Sequence, residues 1–156
     1  MALIDCDPQG SLASWWNERA AEAPLFASVA IANLANHLQA LDQAGIKLAI
    51  IDTPPAVTDM IRAVLQVADL VLIPTRPSPH DLRAVGTTVD LVEAAGKKMI
   101  FVINGAAARA KIAGEAAVAL SQHGTVAPVT LHQRTDFASS MIDGRTVQEI
   151  DPKSRS

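Results

Sequence analysis

Aromatic residues are scarce in this chain: two Trp, three Phe and no Tyr among 156 residues. Trp15, Trp16, Phe26, Phe101 and Phe137 are too few for a platform on which successive bases stack, so that mode of single-strand recognition is not expected. Cysteine is nearly absent too. The single Cys6 cannot form an internal disulfide, and a reducing, cytoplasmic compartment is the expectation. Long apolar runs are missing: the longest are five residues, Met99–Ile103 and Ala116–Leu120, far short of the roughly 20 that cross a bilayer. The opening Met1-Ala2-Leu3-Ile4 has no basic region and meets Asp5 at once, so it does not read as a signal peptide. The four histidines lack metal-ligand spacing. No repeat, low-complexity tract or Pro/Gly linker divides the chain, and one domain over 1–156 is expected.

Charge is low as well. The net of −3 predicts no nucleic-acid affinity by itself. Its placement is uneven: residues 1–78 carry four Lys/Arg against eight Asp/Glu, and residues 79–156 carry nine against eight.

What is present is alternation. Ala2–Asp5, Leu48–Asp52, Leu70–Pro74, Met99–Asn104 and Val126–Leu131 are short apolar runs of the kind that form buried parallel strands. Between them, apolar residues recur at spacings of three and four. Leu34, Leu38 and Leu41 lead to Gly45; Ile61, Val64, Leu65 and Ala68 follow; Leu82, Val85, Val89 and Val92 lead to Gly96. Ile112, Ala116, Ala119 and Leu120 then lead to Gly124. These are helical stripes, three of them closed by a glycine where a C-cap belongs. Strand and helix in turn predict a parallel α/β sheet with right-handed crossovers. One oddity stands out: a strand at residue 2 has no earlier element to pair with.

The polar residues gather where these strands end, the edge at which open α/β sheets bind ligands. Asp5 and Asp7 close the first strand, in Leu3-Ile4-Asp5-Cys6-Asp7-Pro8-Gln9-Gly10-Ser11, with Ser11 placed to cap the next helix. Asp in this pattern also serves plain turns and caps. Leu48-Ala49-Ile50-Ile51-Asp52 has the Walker-B form, an apolar strand that fixes a carboxylate for Mg²⁺. Pro74-Thr75-Arg76-Pro77-Ser78-Pro79 makes a stiff loop, either shaping a ligand site or merely linking strand to helix. Asn104 offers a donor and an acceptor, which suits an adenine edge as well as a turn. Cys6, between two carboxylates, reads as an unreactive core filler. A phosphoacceptor pocket around Asp52 would need a Lys after the fifth strand, where Leu131-His132-Gln133-Arg134 stands instead.

Four stretches together resemble the ParA/MinD group of deviant P-loop ATPases, and small ParA-type partition ATPases in particular. They are LIDCDPQGS, LAIIDTPPA, VLIPTRPSPHDLRAVG and LHQRTDFASSMIDGRTVQEIDPKSR. The resemblance implies a P-loop NTPase-like, three-layer α/β/α fold, truncated at its N-terminus. It implies Mg-ATP hydrolysis, with Asp7 positioning the attacking water and Asp52 and Asp5 serving Mg²⁺. Asn104 and Pro74 fall on the nucleotide side, and Gly105 stands where the family usually has Arg. Arg134 falls near the surface used for nonspecific DNA or the dimer face. The implied partners are a second copy of the chain, nonspecific DNA and a ParB-like centromere-binding protein, with no membrane, in a nucleoid-associated cytoplasmic setting. The family's Gly-rich, lysine-bearing phosphate loop should precede LIDCDPQGS, and its final helix should follow the DPKS stretch. Neither pattern occurs in residues 1–156, so exposed sheet edges are expected, and a non-catalytic interaction domain is the alternative reading.

Overall fold

The computed structural model describes residues 1–54 and 59–153. Pro55 and Ala56 of the Walker-B stretch, and Ser154 and Arg155 of the tail, lie outside the described residues. The chain forms two compact units, Met1–Val67 with Ala138–Lys153 and Ala68–Phe137. Each holds a three-stranded, wholly parallel sheet. Strand and helix alternate as the apolar pattern predicts, and the flanking helices give the α/β/α architecture that the resemblance implies.

In the first unit the strand order is β2-β1-β3, with β1 at Ala2–Asp5, β2 at Leu25–Ser28 and β3 at Ala49–Asp52. The opening strand is therefore central. It pairs Leu3 with Phe26 on one side and with Ile50 on the other, which removes the apparent oddity of its position. All four of its residues are buried, as a strand flanked on both edges requires. β2 was not visible in the sequence: Leu-Phe-Ala-Ser is short, lacks β-branching and follows Pro24 directly. Helix α1 (Ser11–Asn17) follows β1, and α2 (Leu34–Gln43) and α3 (Asp59–Val67) flank β3 in sequence. Leu34, Val64, Ile4 and Cys6 form the buried centre, with Leu38, Leu41 and Ile51 packed against it. The helical stripes thus point inward as their spacing demands.

In the second unit the order is β4-β5-β6, with β4 at Leu70–Thr75, β5 at Lys98–Ala106 and β6 at Thr125–His132. Helix α4 (Pro79–Ala94) begins at Ser78, whose hydroxyl accepts the Asp81 N–H at 3.2 Å. Pro79 occupies the first helical position, where no N–H is needed. Ile73, Phe101 and Ile103 from the sheet are buried with Val89 and Val92 of α4, and with Ala116 and Leu120 of α5 (Lys111–Ser121). β4 is not buried on both faces. Leu70, Leu72 and Pro74 are exposed while Ile73 and Thr75 are covered, an alternation that its continuous apolar sequence hides. Gly124 also differs from expectation. It closes no helix in the left-handed region; a Cβ there would meet Met99 and Phe101 side chains at 3.2 and 3.3 Å, so close packing against β5 is its constraint.

Among the described residues β3 pairs only with β1 and β4 only with β5. Leu48, Ile50, Leu70 and Leu72 are exposed on or beside these edge strands. After β6 come α6 (Thr135–Ser140), a 3-10 turn at Met141–Asp143 and α7 (Val147–Ile150). No helix among the described residues is long and apolar enough to cross a membrane.

Candidate functional site

Parallel pairing of β1 with β3 puts Asp5 and Asp52 opposite each other at the carboxyl ends of adjacent strands. The chain then turns, and the Cys6 N–H donates to the Asp52 carbonyl at 3.0 Å. Asp5 is 2% exposed, and both of its carboxylate oxygens are engaged by backbone. Oδ1 accepts the Asp7 N–H and Oδ2 accepts the Ala13 N–H, each at 2.9 Å. Ala13 is the third residue of α1, so Asp5 caps that helix from the strand before it. Ser11, placed by the sequence as the cap, does not act as one; Gly10 holds the cap position without any side-chain bond.

The same bonds present Asp7. Its backbone is fixed by Asp5, and its own Oδ1 accepts the Gln9 N–H at 2.9 Å, leaving Oδ2 without a bond among the described residues. Asp52 is exposed at the strand end, yet its carboxyl lies above the ordinary value of 3.8. Partial desolvation is the first cause and the Asp5 and Asp7 carboxylates add to it, against a Thr53 backbone bond. Burial and two neighbouring carboxylates thus raise Asp52, and no cationic side chain acts on it in the other direction. That donor set fits a divalent cation held through Asp52. It fits Asp5 less well as a ligand, because both its oxygens already hold backbone N–H groups. Cys6 is buried beneath, and its thiol is pushed up by burial and then by Asp5 and Asp52, as a core filler's should be.

Asn104, Pro74 and Arg134 belong to the second unit. Pro74 pairs with Val102 one step before β4 ends, and Asn104 is exposed in β5. Arg134 is exposed just after β6. Arg76 has no role assigned from the sequence, yet its side chain lies over Gly105, with Cγ and Nε each 3.6 Å from where a Cβ would stand. Its only signal in the sequence is an Arg set among three prolines. Among the described residues, no group of three His, Cys, Asp or Glu side chains is arranged as a metal cage.

No protein-family model matches the chain. A maintenance of carboxysome distribution protein A from Gloeobacter kilaueensis is 43% identical over 89 residues, covering 56% of this chain and 40% of that relative. One of the same name from Halothiobacillus neapolitanus is 27% identical over 167 aligned positions, covering the whole chain and 76% of the relative. The chain is similar to both. Two solved structures agree on its fold. Cyanthece apo McdA superimposes with a TM-score of 0.73 at 17% identity, over 97% of this chain and 81% of that one. The septum site-determining protein MinD of Pyrococcus horikoshii, complexed with Mg-ADP, gives 0.74 at 12% identity, over 98% and 76%. These likenesses show that the chain shares the α/β/α fold of those two structures. The matched segment spans less than half the length of the Gloeobacter relative.

Proposed function

We propose that this ParA/MinD-type chain is the body of a Mg²⁺-dependent ATPase that dimerises on nucleotide and positions a large intracellular cargo. The observation that carries it is the grouping of Asp5, Asp7 and Asp52 at the carboxyl ends of two adjacent parallel strands. In this reading Asp52 holds the cation, which would neutralise charge on a transferring phosphoryl group. Asp7, fixed by Asp5 and carrying a free oxygen, orients the attacking water. Asn104 and Pro74 serve the nucleotide on the second unit, and Arg134 contributes to a dimer or DNA-facing surface whose contacts would weaken with salt. The relatives' names favour cargo positioning over DNA segregation alone, so a ParB-like adaptor is one kind of partner and not the sole one.

The residues of this chain do not fit the triphosphate end of ATP, because no G-x-x-x-x-G-K-[ST] loop occurs among them. Hydrolysis is therefore assayed twice: in the 156-residue chain, and in the same chain joined to a strand–loop–helix that carries such a loop. The joined protein should turn over ATP, and Asp7→Ala should lower that rate by about 100-fold or more. The 156-residue chain alone should show no turnover above its Asp7→Ala variant. Turnover in the joined protein that Asp7→Ala leaves intact would contradict the assignment. A joined protein that binds its partner but never hydrolyses ATP would instead favour the non-catalytic interaction domain.

A further inference from the structure

Within the second unit, β4 and β5 run in register from Leu70 opposite Lys98 to Thr75 opposite Ile103. One step further along are Arg76 and Asn104, both exposed. Burial alternates along β4, so Pro74 and Arg76 share one face of this sheet, and the register brings Asn104 to the same face. The pairing of β5 with β6 is irregular between Phe101 and Ala106, and Gly105 lies at φ 62°. An L-residue is strained there. With no side chain at 105, Arg76 runs past the backbone there, its Cγ and Nε each 3.6 Å from where a Cβ would stand. The stem is therefore supported, while the guanidinium head has neither hydrogen bond nor ion pair among the described residues.

A braced, planar, unpaired guanidinium beside a free amide, at the carboxyl end of a parallel sheet, is an uncommon combination on a surface. Unpaired surface arginines usually swing freely. Arg76 runs beside the Gly105 backbone and is exposed, so its guanidinium plane is available to a flat, electron-rich ring. The amide next to it offers a donor and an acceptor to the edge of such a ring.

We propose that Arg76, seated on Gly105, is a nucleotide-binding residue of this chain, its guanidinium stacking on the face of a purine base whose edge Asn104 meets. This rests on the reading of Asn104 as a nucleotide residue and adds to it the group that covers the base. It also gives Gly105 a purpose, since an L-residue at its φ of 62° would strain the backbone beside which Arg76 lies.

The test is an NMR titration of the 156-residue chain with adenosine and, separately, with ATP. It follows the Arg76 Nε–H and the Asn104 side-chain amide in the wild type, Arg76→Ala, Arg76→Lys and Asn104→Ala. Adenosine should shift both signals, and Arg76→Ala should weaken adenosine and ATP binding by about 10-fold. Arg76→Lys should restore only part of this, because an ammonium has no plane to stack. Arg76 is exposed, so these variants should keep the wild-type amide spectrum elsewhere. If Arg76→Ala leaves adenosine binding unchanged while Asn104→Ala weakens it, the stacking role is overturned and the nucleotide site stands. If ATP shifts Arg76 but adenosine does not, or if Lys restores binding fully, Arg76 serves a phosphate and the proposal fails. If neither ligand shifts Asn104, the nucleotide reading of this edge falls, and the proposal with it.

Discussion

Asp5 shows how one buried carboxylate can set the geometry of its neighbours without touching a ligand. A carboxyl group at 2% exposure needs hydrogen-bond partners, and two backbone N–H groups supply them. The bond to Asp7 fixes the turn that presents the second carboxylate; the bond to Ala13 anchors the start of α1. Asp5→Ala should remove both and cost about 2 kcal/mol, of the size found for caps and charged hydrogen bonds. Asp5→Asn keeps an acceptor oxygen and should lose roughly half of that. Chemical denaturation measures the difference, and faster hydrogen exchange at the Ala13 and Asp7 amides should accompany it. Equal stability of Asp5→Ala and wild type would show that these bonds do no structural work.

At the scale of elements, the most connected contact joins α1 to the segment from Gly144 to Glu149, more than 120 residues away in sequence. Arg19 extends from the end of α1, its side chain 6% exposed, and pairs with Glu149 through both carboxylate oxygens. Its Nη1 also donates to the Gly144 carbonyl at 2.6 Å, and its guanidinium lies 5.2 Å from the centre of the Trp15 ring. Trp15 donates to the Arg145 carbonyl, while Trp16 stacks on Phe26 of β2. Both adjacent tryptophans are thus engaged. Glu149 additionally closes a capping box with Thr146 at the start of α7. The Arg19 bond first, and then the Thr146 backbone bond, hold its carboxyl down to about 2, from an ordinary 4.5. A lowered carboxyl stabilises the fold above its unfolded value, and that stability is lost as pH falls from about 4.5 towards 2. The whole shift would be worth about 3 kcal/mol, but Glu149 is partly exposed and screening reduces this to on the order of 1 kcal/mol. Glu149→Gln should therefore flatten the pH dependence of stability in that window. Gly144→Ala should be more damaging at every pH, because a Cβ there falls 2.5 Å from the Arg19 backbone and φ is 68°. Acid titrations of Tm in the two variants check both. The elements themselves were largely legible: among the described residues, five of six strands and the four longest helices follow from apolar spacing. β2 was not, because four residues without β-branching carry no periodic signal and gain their structure from pairing with β1. The clasp was equally hidden, since no local pattern links Arg19 with Glu149.

For the molecule as a whole, the parallel α/β plan and the strand-end positions of Asp5, Asp7, Asp52 and Asn104 were readable, because apolar strands closed by polar residues mark that edge. The division of labour among the carboxylates was not, since it depends on which backbone amides reach which oxygen. Nor did the sequence assign Arg76 to its seat on Gly105, a relation across two strands. The central claim is that Asp52 carries the cation while Asp5 organises the loop that presents Asp7. A carboxyl-carbon NMR titration of Asp52, with and without Mg²⁺, tests it most directly. Without the cation Asp52 should titrate above its ordinary 3.8, so that repulsion opposes the fold above that midpoint and is relieved as pH falls through it. Mg²⁺ should lower the midpoint in the wild type and in Asp5→Asn alike. An Asp52 that titrates at or below 3.8 and ignores Mg²⁺, or a Mg²⁺ effect that vanishes only when Asp5 is replaced, would contradict the account.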